Sequence, residues 1–130
     1  MNVTRGTPLI LIVEDEPLVR MFAVDALEDA GFAVSQAGDA AEALAALTQN
    51  QQGLKAVIVD LGLPDRTGDQ LAAEMRGMRA DLPIVIASGR SERELKDRFA
   101  KDPRIAILVK PYTAAMLLDA LTSLGVDAPK

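Results

Sequence analysis

The sequence predicts an α/β domain built on a single doubly wound parallel sheet of five strands with five helices. Five short aliphatic segments alternate strictly with segments of helical periodicity, and this alternation is typical of βα units joined by right-handed crossovers. Most of the aliphatic segments are apolar without interruption, which indicates strands that are buried on both faces. The predicted strands are Leu9–Val13, Phe32–Ser35, Val57–Val59, Ile84–Ala87 and Ile105–Val109.

The composition excludes several classes of protein. The chain has 130 residues, enough for one core, and contains neither cysteine nor histidine, so thiolate metal sites and imidazole catalysis are impossible. No apolar run approaches the roughly 20 residues that span a bilayer, and the start of the chain lacks a signal-peptide pattern. The net charge of -5 disfavours direct nucleic-acid binding. We therefore expect a soluble, cytoplasmic protein that contacts neither membranes nor nucleic acids.

The first helix is predicted from Pro17, which suits a first helical turn, to about Ala30. A 3.6-residue wheel places one set of side chains against the sheet, namely Val19, Phe22, Ala23, Ala26, Leu27 and Ala30. The same wheel places a second apolar set among the polar positions, namely Leu18, Met21 and Val24. Two interpretations of the second set stay open: scattered surface hydrophobes, or a docking patch for a partner helix, which we prefer.

Capping signals predict the starts of the later helices. Asp39 opens a capping-box pattern before a helix to about Gln49, and Ser91 opens another before a helix through Phe99. The third helix is predicted near Thr67–Gly68, and Thr113 caps the last one. The third helix is expected to point Leu71, Ala72, Met75 and Met78 inward. We expect a domain over residues 8–124, with a flexible N-terminal tail over 1–7 and a C-terminal tail over 125–130.

Polar side chains end four of the five predicted strands. Glu14 and Asp15 follow the first strand, Asp60 ends the third, Ser88 the fourth and Lys110 the fifth. The carboxyl ends of parallel strands share one edge of a sheet, and ligands of such sheets bind beyond that edge. The sequence therefore predicts that three carboxylates, a hydroxyl and an ammonium group converge.

Whether the three carboxylates come close enough to interact depends on whether the first and third strands are neighbours. Two like charges about 4 Å apart repel by roughly 4 kcal/mol at an effective dielectric of 20, so three carboxylates require a cation or a retained proton. An all-oxygen set suits Mg²⁺, with Asp15 and Asp60 as direct ligands, Glu14 acting through a water, and the Gly62 carbonyl as a further ligand. A carboxylate with Mg²⁺, lysine and serine around it is the arrangement needed for phosphoryl transfer to aspartate.

Each of these residues also has an ordinary structural explanation. Glu14 or Asp15 could cap the following helix, and Asp60 could start a turn. Ser88 precedes a glycine in a loop, and Lys110 could be a surface lysine before a helix-starting proline. The coincidence at four strand ends is what favours a functional site.

With these motifs the chain resembles the receiver domain of bacterial two-component response regulators. The resemblance covers Pro8 to about Leu124 and is carried by Glu14-Asp15, Asp60-Leu61-Gly62-Leu63-Pro64, Ser88-Gly89 and Lys110-Pro111. It implies the flavodoxin-like strand order 2-1-3-4-5. It also implies a signalling domain rather than an enzyme, one that catalyses only its own phosphorylation and dephosphorylation.

The resemblance further assigns roles to residues. It implies that Asp60 receives a phosphoryl group from a histidine kinase or a histidine phosphotransfer protein. Mg²⁺ would be bound by Asp15, Asp60 and the Gly62 carbonyl, with Glu14 in the outer acidic position. Ser88 and Lys110 would bind the phosphoryl group, and the Lys110-Pro111 bond would be cis.

One position departs from the family pattern. Ile107 lies three positions before the lysine, where the family usually has an aromatic residue that moves with the hydroxyl residue. Isoleucine is stiff at χ1 and has no phenol, so the mode of signalling stays open. A phosphorylation-independent adaptor is therefore one alternative. A Mg²⁺-dependent phosphohydrolase is another, although Gly62 stands where dehalogenase-like phosphatases need a second aspartate.

The output is expected to be a protein contact. No effector domain follows Lys130, which fits either a stand-alone protein or a piece of a hybrid kinase or longer regulator. We expect the fourth helix, the fifth strand and the fifth helix to change on phosphorylation and to be the face of a possible homodimer. Gly62 and Arg90 flank the site and are expected to tune hydrolysis of the phosphate.

Overall fold

The computed structural model describes residues 7–50, 53–89 and 91–130. The predictions for most of the N-terminal tail, for part of the loop before the third strand and for Arg90 lie outside these residues. The described chain alternates strands and helices as predicted. The elements are β1 (Leu9–Val13), α1 (Pro17–Asp29), β2 (Ala33–Ala37), α2 (Ala40–Gln49), β3 (Leu54–Asp60), α3 (Gly68–Met78), β4 (Ile84–Ser88), α4 (Glu92–Arg98), β5 (Ile105–Val109) and α5 (Ala114–Ser123).

The strands form one parallel sheet in the order β2-β1-β3-β4-β5. This order confirms the expectation drawn from the family resemblance. It makes β1 and β3 neighbours, and Val13 lies opposite Val59 in their register. Asp60 is therefore level with the first residue after β1, which is the condition that the predicted carboxylate cluster needed.

Two aliphatic layers cover the two faces of the sheet. One contains Ile10 and Ile12 of β1, together with buried side chains of α1 and α5. The other contains Leu11 and Val13, together with buried side chains of α2 and α3. Successive side chains of β1 thus enter opposite layers, and burial on both faces explains why this strand is apolar throughout.

The helix caps agree closely with the sequence prediction. The side chains of Ser91 and Thr113 accept hydrogen bonds at the starts of α4 and α5, and Thr67 forms a complete capping box at α3. Asp39 accepts from Glu42 N at 2.8 Å. The reciprocal half of the Asp39 box differs, because the Glu42 carboxylate accepts from Gly38 N at 2.7 Å rather than from the cap residue itself.

Two side chains of α1 have the opposite burial to the one that the helical wheel predicted. Val24 is buried, at 8% exposure, whereas Phe22 is 44% exposed and its ring lies 6.0 Å from that of Tyr112. The wheel allowed for burial against the sheet alone, but α1 also packs against α5, and Val24 belongs to the layer that contains α5. The exposed apolar set is therefore Leu18, Met21 and Phe22.

Two further details depart from prediction. Met78 is 39% exposed because it is the last residue of α3, so the prediction that it points inward was wrong. The expected C-terminal tail lies against the domain: Val126 packs on the layer of α1 and α5, and Lys130 N donates to Ala30 O at 2.9 Å. Among the described residues, no helix has the length and apolarity required to cross a membrane.

Candidate functional site

Three carboxylates meet at the carboxyl ends of β1 and β3. Glu14 and Asp15 directly follow β1, and Asp60 is the last residue of β3. One carboxylate oxygen from each of the three lies within 4.8 Å of the other two. Glu14 and Asp60 are 2% and 8% exposed, whereas Asp15 faces solvent. The cluster is therefore buried on its inner side and open on its outer side.

Lys110 supplies a cation to this cluster from the end of β5. Its Nζ lies 2.6 Å from Glu14 Oε1 and 3.1 Å from Asp60 Oδ1. The backbone holds the lysine in place, because Lys110 N donates to Ser88 O at 2.8 Å. One ammonium beside three carboxylates leaves an excess of negative charge, which favours a further cation.

The protonation of Glu14 and Lys110 follows from burial and mutual contact. Burial raises the pKa of Glu14 above its usual value, although the hydrogen bond from Lys110 acts in the opposite direction. For Lys110, burial alone would lower the pKa, but the hydrogen bonds to Glu14 and Asp60 outweigh burial and raise it. The lysine therefore stays charged at neutral pH, and Glu14 is the carboxyl group that gains a proton more readily than usual.

The remaining predicted site residues lie around this cluster. Ser88 is buried at the end of β4, one position beyond the residue that pairs with Asp60. A Cβ placed on Gly62 would lie 3.8 Å from Asp60 Oδ2, so this glycine is beside the carboxylate. The Lys110-Pro111 bond is cis, as the resemblance implied. Ile107 lies in β5, opposite Ile86, and packs against the layer of α2 and α3.

Three residues near the site were missed by sequence reasoning. Gly68 allows the start of α3 to approach β3, since a Cβ there would lie 2.7 Å from Asp60 O and from Leu61 Cα. Arg20 reaches back from α1 to donate to Glu14 O at 2.8 Å. Tyr112 is buried beside the cluster, and burial, followed by the nearby Glu14 charge, raises its pKa to about 12. A glycine that directly follows a helix-capping residue was a usable signal. The Tyr112 contact joins distant parts of the chain, and the Arg20 contact depends on the turn between β1 and α1.

Comparison with known families shows which family the fold belongs to. The family model for the response regulator receiver domain matches residues 10–122. The chain belongs to the response regulator receiver domain family. The sheet order and the acidic cluster at the carboxyl ends of the strands agree with this assignment.

The chain matches parts of longer curated proteins. The chain is 35% identical over 113 residues to the transcriptional regulatory protein PdtaR of Mycobacterium tuberculosis, covering 86% of this chain and 54% of that protein. It is 30% identical over 112 residues to the sensor kinase CckA of Brucella abortus, covering 86% of this chain and 12% of that protein. The chain thus spans 54% of the length of PdtaR and 12% of the length of CckA.

A solved structure agrees with the fold. The response regulator protein TrrA of Thermotoga maritima, in complex with Mg²⁺ and BeF, superposes with a TM-score of 0.78. The two chains are 24% identical, and the match covers 91% of this chain and 99% of the other. At this level of identity the likeness shows the receiver fold.

Proposed function

We propose that this receiver domain takes a phosphoryl group onto Asp60 from a phosphohistidine of a histidine kinase or histidine phosphotransfer protein in the cytoplasm. An Asp60 oxygen forms the new bond to phosphorus, and the nitrogen–phosphorus bond of the donor breaks. The electron pair stays on the donor imidazole, which takes up a proton, so the acceptor carboxylate needs no general base. The observation that carries the proposal is the cluster of three carboxylates with the Lys110 ammonium 3.1 Å from Asp60.

The donor set fits Mg²⁺. The three acidic side chains offer only oxygen atoms, two of them are buried, and the third faces solvent where waters can complete a coordination shell. Asp15, Asp60 and the Gly62 carbonyl would hold the ion, with Glu14 in the outer position. When bound, the ion would offset the carboxylate charge and bind a phosphoryl oxygen. The Mg²⁺ and BeF in the TrrA structure support this assignment.

Ser88 and Lys110 would hold the transferred group. Ser88 ends the strand next to β3, and its hydroxyl can donate to a phosphoryl oxygen. The Lys110 ammonium already contacts Asp60, so it can donate to a phosphoryl oxygen while it keeps its contact with Glu14. In the sheet, Ser88 ends β4 and Lys110 follows β5 on one side of Asp60, whereas Glu14 and Asp15 follow β1 on the other side.

Acetyl phosphate, a small phosphoryl donor, tests the proposal without a partner protein. Incubation with acetyl phosphate and Mg²⁺ should give a single phosphate adduct by intact-mass measurement. Asp60→Asn should abolish the adduct, whereas Asp119→Asn, which alters an exposed carboxylate of α5, should keep it. Absence of the adduct from the wild type, or its survival in Asp60→Asn, would overturn the proposal.

A groove beside α1 suits the donor protein. Leu18, Met21 and Phe22 are 75%, 59% and 44% exposed, and Leu18 and Phe22 line a groove of about 510 Å³ that extends to Tyr112. We propose that a helix of the histidine kinase or phosphotransfer protein docks its apolar face here. The groove also includes Lys110, so a docked helix would lie close to Asp60.

One substitution separates docking from chemistry. Met21→Glu should slow phosphoryl transfer from the kinase while acetyl phosphate labelling continues unchanged. Met116→Glu changes an equally flexible, 41% exposed side chain on α5, and should leave both reactions intact. Equal loss of both reactions in Met21→Glu would mean that the substitution had damaged the fold.

Ile107 favours one alternative, a phosphorylation-independent adaptor. In that case wild type and Asp60→Ala should bind the downstream partner equally. The predicted homodimer through α4, β5 and α5 stays a prediction, supported by a groove of about 770 Å³ between these elements. Sedimentation velocity with and without phosphorylation tests it.

A further inference from the structure

The loop from Leu61 to Thr67 carries Gly62 and is anchored at both ends. Leu61 N donates to Ala87 O at 3.1 Å, which joins the start of the loop to β4. At the other end Thr67 caps α3. In the hydrogen-bond network of the described residues, positions 62–64 take no part. The position of the Gly62 carbonyl therefore depends on how the rest of the loop is held.

Asp65 joins the middle of this loop to a different helix. Its Oδ1 accepts from Ala40 N at 2.9 Å, and its Oδ2 accepts from Ala41 N at 3.0 Å. Asp39, the cap residue of α2, accepts from Glu42 N at 2.8 Å. The first three backbone N–H groups of α2 are thus satisfied by two aspartates, one from the helix's own cap and one from the loop after Asp60.

The contact is strong and directional for an exposed residue. A carboxylate at a helix N-terminus gains from the helix dipole as well as from charge-assisted hydrogen bonds. The hydrogen bond from Ala40 N lowers the pKa of Asp65 below its usual value, so the carboxylate is charged at neutral pH. Two separate oxygens on two successive N–H groups restrict the orientation of the side chain as well as its distance.

The helix at the other end of this contact is itself firmly packed. Ala40, Ala43 and Leu47 of α2 are buried in the layer that also contains α3. Leu63, two residues before Asp65, packs against the same layer. Asp65 therefore connects the loop, whose described residues 62–64 form no hydrogen bonds, to a well-packed part of the core.

We propose that Asp65 is a positioning residue for the magnesium site: its bidentate contact with the N-terminus of α2 holds the Gly62 carbonyl beside Asp60. The inference rests on the proposed function, since it assumes that the Gly62 carbonyl is a ligand. Gly62 lies three residues from Asp65, so release of the aspartate leaves the packing of Leu63 as the hold on the segment between them and lets Gly62 shift relative to the carboxylates. Supports of metal ligands are commonly worth about 10-fold or more in affinity.

Asp39 provides a matched control. Asp65→Ala and Asp39→Ala each remove a carboxylate acceptor from the same helix N-terminus, but only the first releases the loop. Mg²⁺ titration by calorimetry should show about 10-fold weaker binding for Asp65→Ala and a change below about 2-fold for Asp39→Ala. Asp65→Asn keeps one acceptor oxygen and should fall between wild type and Asp65→Ala. The midpoint temperature of thermal unfolding should be lower in both alanine variants than in the wild type.

The outcomes separate the two proposals. If Asp65→Ala binds Mg²⁺ as the wild type does, or if Asp39→Ala weakens binding equally, the positioning role is wrong while the function of Asp60 stands. If Asp65→Ala does not fold, Asp65→Asn decides, and wild-type affinity in that variant overturns the proposal. If the wild type itself binds no Mg²⁺ and forms no phosphate adduct, the proposed function fails together with the inference.

Discussion

The two flanks of the site differ in how firmly they are held. On the flank of β1 and β3, the loop after Asp60 is tied to α2 by Asp65, and α2 buries three of its ten residues. On the flank of β4 and β5, α4 has only seven residues, and Leu95 is the buried one among its described side chains. The carboxylates belong to the first flank, and Ser88 and Lys110 to the second.

Because of this difference, binding and conformational response can reside in different parts of the site. A phosphoryl group on Asp60 would add charge and acceptor oxygens next to Ser88 and Lys110. Segments with few buried apolar contacts open at the lowest free-energy cost. The well-packed flank can therefore hold the ion and the acceptor while α4, the thinly packed helix of the other flank, changes conformation.

The largest effect is expected where the flanks meet, at Lys110. Lys110→Met leaves Glu14 and Asp60 without their cation, and removal of one partner from such a buried set costs about 3 kcal/mol in the free energy of unfolding. This loss in the free energy of unfolding should be smaller when Mg²⁺ is added. Urea unfolding with and without Mg²⁺ measures both effects. Lys101→Met, at an exposed lysine, is the control, and an equal loss in both variants would contradict the account.

The second effect concerns the close packing of the first flank. A methyl group on Gly68 would collide with the backbone of Asp60 and Leu61. Gly68→Ala should therefore lower the free energy of unfolding by about 2 kcal/mol and slow acetyl phosphate labelling of Asp60. Gly77, in the same helix, has open space where a Cβ would be. Gly77→Ala should stabilise the domain by about 1 kcal/mol and leave labelling unchanged. Similar Tm values for the two variants would show that α3 does not hold the end of β3 rigidly.

The smallest effect is a pH dependence at Glu14. Burial raises the pKa of Glu14 in the folded state, so its contribution to stability is fully present below the unfolded-state pKa and is lost as the pH rises through the folded-state pKa. Glu14→Gln should therefore be more stable than the wild type at pH 7 without Mg²⁺, and the difference should vanish below about pH 4. Urea unfolding at several pH values measures it. A wild type more stable than the variant at pH 7 would show that the Lys110 contact outweighs burial.

Much of the fold and most of the cluster could be predicted from sequence. Uninterrupted apolar strands that end in Asp60, Ser88 and Lys110 indicated the sheet, and parallel topology alone brings such ends together. The strand order came from the family resemblance, because hydrophobic periodicity carries no information about which strands are neighbours. The β2 boundaries were less accurate, since this edge strand, Ala33–Ala37, is only partly buried and includes the exposed Gln36.

Several of the misses have the same cause, which is contact between distant parts of the chain. The wheel for α1 misplaced Val24 and Phe22 because it could not include α5 as a second packing surface. Asp65 follows a proline and looks like an ordinary turn residue, although its partners lie 24 and 25 positions earlier. Local sequence patterns do not indicate hydrogen-bond partners that lie so far away in the chain.

The most direct test of the two-flank account is an NMR titration with beryllofluoride, a phosphoryl mimic, in the presence of Mg²⁺. We expect saturable binding with large shifts of backbone amide signals in β4, α4 and β5, and small shifts in α2 and around Asp65. Loss of these shifts in Asp60→Asn would confirm the site of binding. Absence of saturable shifts, or shifts in α2 as large as those in α4, would contradict the account.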